Sequence, residues 1–297
     1  MVLLTILLSA ACFGASALRA EASDSITPSS GYNTGSVSIT DLHSAGFLSG
    51  STVKLTRDGE AAIAATGVTL VLSTRITCAF DLTGKATGYW NVVVTTGSSS
   101  QILATTFEIR PMQAVSIVPA AGYNTGPVNI TDLSGAGFPL SGVAVKLARL
   151  NEADIPATGV VSLSTRITCA FDLTGKATGY WDVVVTTGAA SYTLSQGFTV
   201  GLMQVYSVVP AVGYKTGPVN ITDLSGAGFP LSGVTVKLTH ADQADIHATG
   251  VISISTRITC AFDLTGKATG YWDVVVTTGS SSLALPQGFE IGLMQVY

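Results

Sequence analysis

Hydrophobic and polar positions alternate along much of this chain. In Arg166–Asp172 the apolar set is Ile167, Cys169 and Phe171, while Thr168 and Ala170 face the other way. In Tyr180–Thr187 one face carries Trp181, Val183 and Val185, and the other carries Tyr180, Asp182, Val184 and Thr186. Successive residues of a strand point to opposite faces, so a period of two marks half-buried β-strands. Between these runs lies Leu173–Gly179, whose two glycines and missing apolar period predict a connection and not a helix. Asp172 heads that connection, which predicts an Asx-type turn with the carboxylate folded onto nearby backbone N–H groups.

The stretch that holds both runs, Ser164–Gly188, occurs three times. Ser255–Gly279 repeats it letter for letter, and Ser73–Gly97 differs only by Asn91 where the others carry Asp182 and Asp273. Trp90, Trp181 and Trp272 recur at a spacing of 91 residues, as do Cys78, Cys169 and Cys260. The chain therefore divides into repeats at 25–110, 115–201 and 206–292, and 293–297 reads as the start of a further repeat or a tail. In the second repeat, Val115–Pro119 predicts a strand stopped by proline, and Val128–Thr131 a strand with Val128 and Ile130 inward. Asp132–Ser141 predicts a glycine-rich loop holding Phe138, and Val143–Leu147 a strand. A polar loop over Asn151–Thr158 leads to a strand at Val160–Leu163, and Tyr192–Leu194 and Gly197–Val200 close the unit. About seven short strands with regular turn signals predict a β-sandwich. The joint Gly201–Val205 is short and apolar, unlike a flexible linker, so Leu202, Met203 and Val205 are expected to pack between domains.

Composition narrows the role. Charged residues are 11% of the chain, against about 25% in typical globular domains. A net charge of −4 supplies no basic stripe, which argues against nucleic-acid binding. Weakly charged β-surfaces resist edge-to-edge association poorly. At the N-terminus, Val2–Leu18 carries no charge, and Ala15-Ser-Ala17 and Ala20-Glu-Ala22 fit small-x-small cleavage sites, so 1–22 reads as a secretory signal peptide. It departs from that pattern in having no Lys or Arg ahead of the apolar core. The apolar stretch is shorter than the roughly 20 residues of a spanning helix, so no membrane span is expected in the mature chain. Cys12 sits one position too far from Leu8 for a lipoprotein box.

The repeats resemble the IPT/TIG repeats of secreted microbial surface proteins. The resemblance rests on Ile117-Val-Pro119 with Gly122-Tyr-Asn-Thr-Gly126, on Ile130-Thr-Asp-Leu133 with Gly135-Ala-Gly-Phe138, and on Ile167–Gly175 with Trp181-Asp-Val-Val-Val185. It covers essentially the whole chain beyond the signal segment. It implies an all-β chain of three tandem immunoglobulin-like sandwiches, secreted or displayed at a cell surface. Members that bind DNA use basic loops, which this chain lacks.

Candidate chemistry is sparse. One thiol per repeat excludes the inter-sheet disulfide of antibody domains, and each cysteine shares a face with Ile and Phe of its strand, which predicts a buried small hydrophobe. Cys78, Trp90, Cys169, Trp181, Cys260 and Trp272 are thus the expected structural core. His240, Asp242, Asp245 and His247 gather on one loop of repeat three and include zinc- or copper-type ligands, but the other repeats lack them, and a solvated loop is the simpler reading. The chain shows no nucleophile elbow, paired-carboxylate motif, phosphate loop or HExxH, so no enzyme activity, cofactor or metal is expected. Asn129-Ile-Thr131 and Asn220-Ile-Thr222 match the glycosylation sequon on outward strand positions. Tyr89, Tyr180 and Tyr271 recur opposite the tryptophans as a surface that could contact protein or stack sugars. The expected role is a non-catalytic extracellular stalk, adhesin segment or self-assembling fibre, with protein–protein or self-association. The alternative is an array of carbohydrate-binding modules reading cell-surface glycans, accessory to an enzyme domain outside this chain.

Overall fold

The computed structural model describes residues 23–188, 190–279 and 281–294. The expected signal segment at 1–22, with Cys12, lies outside the described residues, as do Gln295, Val296 and Tyr297 of the expected tail. Repeat one contains β1 Ser25–Thr27, β2 Ser30–Tyr32, β3 Ser36–His43, β4 Thr52–Thr56, β5 Ile63–Ala64, β6 Thr66–Leu72, β7 Arg75–Asp81, β8 Gly88–Thr96 and β9 Ser99–Arg110. Repeat two contains β10 Gln113–Val118, β11 Ala121–Tyr123, β12 Pro127–Ala136, β13 Ala144–Ala148, β14 Ile155–Pro156, β15 Thr158–Ser162, β16 Arg166–Asp172, β17 Gly179–Thr186 and β18 Ser191–Gly201. Repeat three contains β19 Gln204–Val209, β20 Val212–Tyr214, β21 Pro218–Ala227, β22 Val234–Thr239, β23 Ile246–His247, β24 Thr249–Ile254, β25 Arg257–Asp263, β26 Gly270–Thr278 and β27 Ser281–Gly292. No helix occurs among the described residues.

Each repeat builds one four-stranded and one five-stranded sheet. In repeat two the orders are β10-β12-β16-β15 and β11-β18-β17-β13-β14. Two strands change sheet on the way. β10 runs antiparallel to β12, the chain turns at Pro119 after a cis peptide, and β11 then joins β18 in parallel. Proline has no N–H to continue a ladder, so the switch falls where the strand must stop. β14 pairs with β13, and β15, entered through Gly159 at φ 60°, pairs with β16 in the other sheet. These two splits turn about seven expected strands into nine. Two sheets of this order facing one apolar interior make each repeat an immunoglobulin-like sandwich, and the chain carries three in tandem.

The interior is filled by the alternating sets. Trp181, Phe171, Phe198, Leu173, Val183 and Leu147 are buried together, and the Phe171 and Phe198 rings lie 6.1 Å apart at 52°, a tilted aromatic pair. Repeat three has the same interior around Trp272, Phe262 and Phe289. The Trp181 indole N–H donates to Ala177 O at 3.0 Å and the Trp272 indole to Ala268 O at 3.1 Å. The glycine-bearing connection thus satisfies the one polar atom of each ring, which would otherwise be costly to bury. Cys78, Cys169 and Cys260 are free and buried.

Three local expectations need correction. The stretch from Asp132 to Ala136 is strand and not loop: a bulge between Ile130 and Leu133 adds one residue, which re-phases the strand so that both side chains point inward. Gly135 lies in this extension, where a Cβ would run into Gln113 O and the Phe138 ring. The polar loop over Asn151–Thr158 contains a short strand because Ile155 reaches the core. The two closing strands are one strand, β18, kinked at Gln196, which adopts φ 53°.

By contact density the chain forms two compact units. One gathers Val37–Asp81 and Gly88–Glu108 with the strand before them, and the other gathers Gly31–Ser36, Leu82–Thr87 and the chain from Ile109 onward. No helix among the described residues is long and apolar enough to cross a membrane.

Candidate interaction surfaces

The three repeated cysteines are buried. Burial pushes the thiols of Cys78, Cys169 and Cys260 up to about 11, so each is protonated at neutral pH and lacks the nucleophilic thiolate. Trp90, Trp181 and Trp272 are among the largest fully buried side chains.

The polar loop of repeat three is taken apart by its own scaffold. The Lys237 ammonium holds Asp245 at 2.8 Å, as Lys146 holds Asp154 at 2.7 Å in repeat two. The His240 ring lies 5.2 Å from the Trp272 ring, and its Nδ1 meets Ala241 O. His247 stands on β23 opposite Lys237, a cation that a metal site would repel. Asp242 takes φ 64° in the turn. Among the described residues, no three His, Cys, Asp or Glu side chains converge on a metal position.

Asp172 and Asp263 fold back onto Thr174 and Thr265. Asp172 Oδ1 accepts the Thr174 hydroxyl at 2.7 Å and its N–H at 3.0 Å. These bonds, the hydroxyl first, hold the Asp172 carboxyl below its ordinary value, and Asp263 is lowered for the same reason. Asp182 works across strands instead. Its Oδ1 accepts the Gln196 N–H at 2.7 Å, as Asp273 does for Gln287. This clip fixes the left-handed residue at the kink of the closing strand.

The recurring tyrosines Tyr89, Tyr180 and Tyr271 are exposed, from 58% at Tyr271 to 67% at Tyr89. Tyr180 lies opposite Thr199 and Tyr271 opposite Glu290. They form three separate outward rings, one per repeat.

The joint between repeats two and three is built from residues that local patterning did not single out. Thr125 Oγ1 donates to Gly228 O, and the Tyr123 ring covers Gly228 so closely that a Cβ there would collide with it. Gly228 has φ 76°, a conformation L side chains avoid, so the site demands glycine twice over. A groove of about 220 Å³ beside this contact is lined by Asn124, Thr174, Pro230, Ser232 and Thr278. Asn124 Oδ1 is enclosed there without a hydrogen-bond partner. The same second unit holds a matching set, in which Thr34 Oγ1 donates to Gly137 O and a Cβ on Gly137 would lie 2.5 Å from the Tyr32 ring. The expectation for Leu202, Met203 and Val205 is corrected here. Leu202 is 60% exposed, while Met203 enters the core of repeat three and Val205 packs against it. Neighbouring residues alternate sides, so this apolar run sends one side chain outward and its successor into a single domain. The repeated Tyr-x-Thr-Gly, paired with a glycine before Phe138 and Phe229, was the available signal.

No protein-family model matches the chain, and no curated protein matches it. Solved structures that resemble it include the extracellular region of plexin A4, at 11% identity and a TM-score of 0.35, covering 92% of this chain and 34% of that one. The titin tandem I9–I11 is similar at 10% identity and a TM-score of 0.38, covering 90% of this chain and 96% of that one. Titin domains A168–A170 give 13% and 0.29, with 89% and 97% covered. This chain thus spans about a third of the plexin chain it matches. These are likenesses of fold.

The turn at Asp172 gives a pH prediction. A carboxyl whose folded value is depressed stabilises above its unfolded value and loses that contribution as pH falls through the folded value. In Thr174→Val, the Asp172 carboxyl should titrate nearer its ordinary 3.8, read by carboxyl NMR, with Asp263 unmoved as internal control. An unchanged Asp172 midpoint would contradict the assigned cause.

Proposed function

We propose that this chain is a non-catalytic extracellular structural and interaction protein of the IPT/TIG repeat type seen in secreted microbial surface proteins. Its immunoglobulin-like repeats at 25–110, 115–201 and 206–292 form a semi-rigid stalk, adhesin segment or surface fibre, exported by the signal at 1–22. The supporting observation is the joint: one Thr-to-Gly hydrogen bond and one Tyr-on-Gly contact, made by Thr125 and Tyr123 and again by Thr34 and Tyr32. A neutral hydrogen bond contributes only about 0.5–1.5 kcal/mol net, so the joint relies on the set and not on one bond. Near-identity between copies also supports the reading, because stacking equal units changes reach and valency without a specialised site.

Residual dipolar couplings test it. Repeats two and three should fit one alignment tensor in the native chain and two in the Tyr123→Ala/Thr125→Val variant. Two unrelated tensors in the native chain would contradict a semi-rigid stalk. A second reading, sugar stacking, is favoured by the exposed rings of Tyr89, Tyr180 and Tyr271. It expects glycan-array binding that disappears when all three become alanine, and a blank array counts against it.

A further inference from the structure

Each joint has two halves. The receiving half is the Tyr-x-Thr-Gly turn of one repeat, and the inserted half is the glycine before the buried phenylalanine of the next. Tyr123 and Thr125 receive Gly228, and Tyr32 and Thr34 receive Gly137. Every repeat carries both halves. The pair that neither joint uses is Tyr214 with Thr216 on repeat three, and Gly46 on repeat one.

Both unused halves are already folded for the contact. Gly46 takes φ 83°, against 77° at Gly137 and 76° at Gly228. Phe47 N–H donates to Ser73 O at 2.8 Å, as Phe229 N–H does to Ser255 O at 3.1 Å. On repeat three, Lys215 N–H donates to Gly292 O at 3.2 Å and Lys215 O accepts from Gly266 N–H at 3.1 Å, the bonds that Asn124 makes with Gly201 and Gly175. Only the cover differs. Gly137 and Gly228 are buried, whereas Gly46 is exposed and a Cβ placed on it would meet nothing within 4 Å. Thr125 is half-buried and Thr216 is exposed. Tyr214 is 55% exposed, against 42% for Tyr123.

The unused halves also depart from the used ones at one shared place. Asn124 and Pro230 line the same groove of the joint. Repeat three has Lys215 where repeat two has Asn124, and repeat one passes from Phe47 to Leu48 without the proline that follows Phe138 and Phe229. A longer side chain on one half thus goes with a shorter turn on the other.

We propose that Tyr214 and Thr216 of one molecule receive the Gly46 turn of a second copy of this chain, so that copies join head to tail through a third use of the joint. In that contact the Tyr214 ring covers Gly46 and the Thr216 hydroxyl donates to Gly46 O. Unlike patches make a heterologous contact, which continues from copy to copy unless it closes into a ring. An internal joint has the effective concentration of a short link, roughly millimolar. Separate molecules lack that help, so the association is weak and reversible. The proposal rests on the stalk reading. Two unrelated alignment tensors for repeats two and three would remove both, whereas one shared tensor without association removes the docking alone.

Sedimentation equilibrium of the whole chain, up to about 1 mM, tests it with two variants. Gly46→Asn keeps a residue that tolerates the left-handed backbone but sets a Cβ in the way, and Tyr214→Ala/Thr216→Val removes the receiving groups. All three positions are exposed, so each variant should melt like the native chain. The native chain should gain mass with concentration, and each variant alone should associate at least about tenfold more weakly. Each variant retains the half that the other lacks, so their equimolar mixture should form pairs and stop there. A native monomer at every concentration overturns the proposal. So does a variant that associates like the native chain, or a mixture that fails to pair.

Discussion

Everything in this molecule depends on two sheets having to share one dry interior. A strand with a period of two can bury only one face, and a sheet built from such strands needs a second sheet over it. Each repeat meets that need within about ninety residues, with Trp181 or its equivalents bridging the layers and the indole N–H bonded to the adjoining connection. The cysteines sit on the same inner faces. Sealing them there removes the thiolate chemistry that unpaired cysteines otherwise bring.

That closure dictates what the remaining residues can do. With the alternating apolar sets turned inward, hydroxyls and glycines remain available at the ends of the repeats, and the joints use this material. Thr125 and Gly228 meet through a hydroxyl and a carbonyl, and a tyrosine ring lies on a glycine where any side chain would intrude. Repeat three presents Lys215 at the position of Asn33 and Asn124, the two asparagines whose side-chain oxygens are enclosed.

Much of the fold was legible in the chain because alternation reports burial directly. Ile167, Cys169, Phe171 and Trp181 could be placed inward from spacing alone, and they are buried. Legibility failed where the period breaks. Ile130 and Leu133 are both inward only because a bulge intervenes, and Ile155 is a single apolar residue in a polar run, with no neighbours to form a pattern. The joint was hidden for another reason: its partners stand 103 residues apart, beyond any local rule. Asp182 illustrates the same limit. Its exchange for Asn91 was visible, but its role at the Gln196 kink needed the folded strand.

The repeated tryptophans and cysteines are thus enclosed between the sheets of each repeat. The most direct test of that organisation is acrylamide quenching of the native tryptophan fluorescence. Trp90, Trp181 and Trp272 are each 1% exposed, so the account predicts blue-shifted emission and almost no quenching until the chain unfolds. Emission and quenching like those of free indole in the folded protein would contradict it.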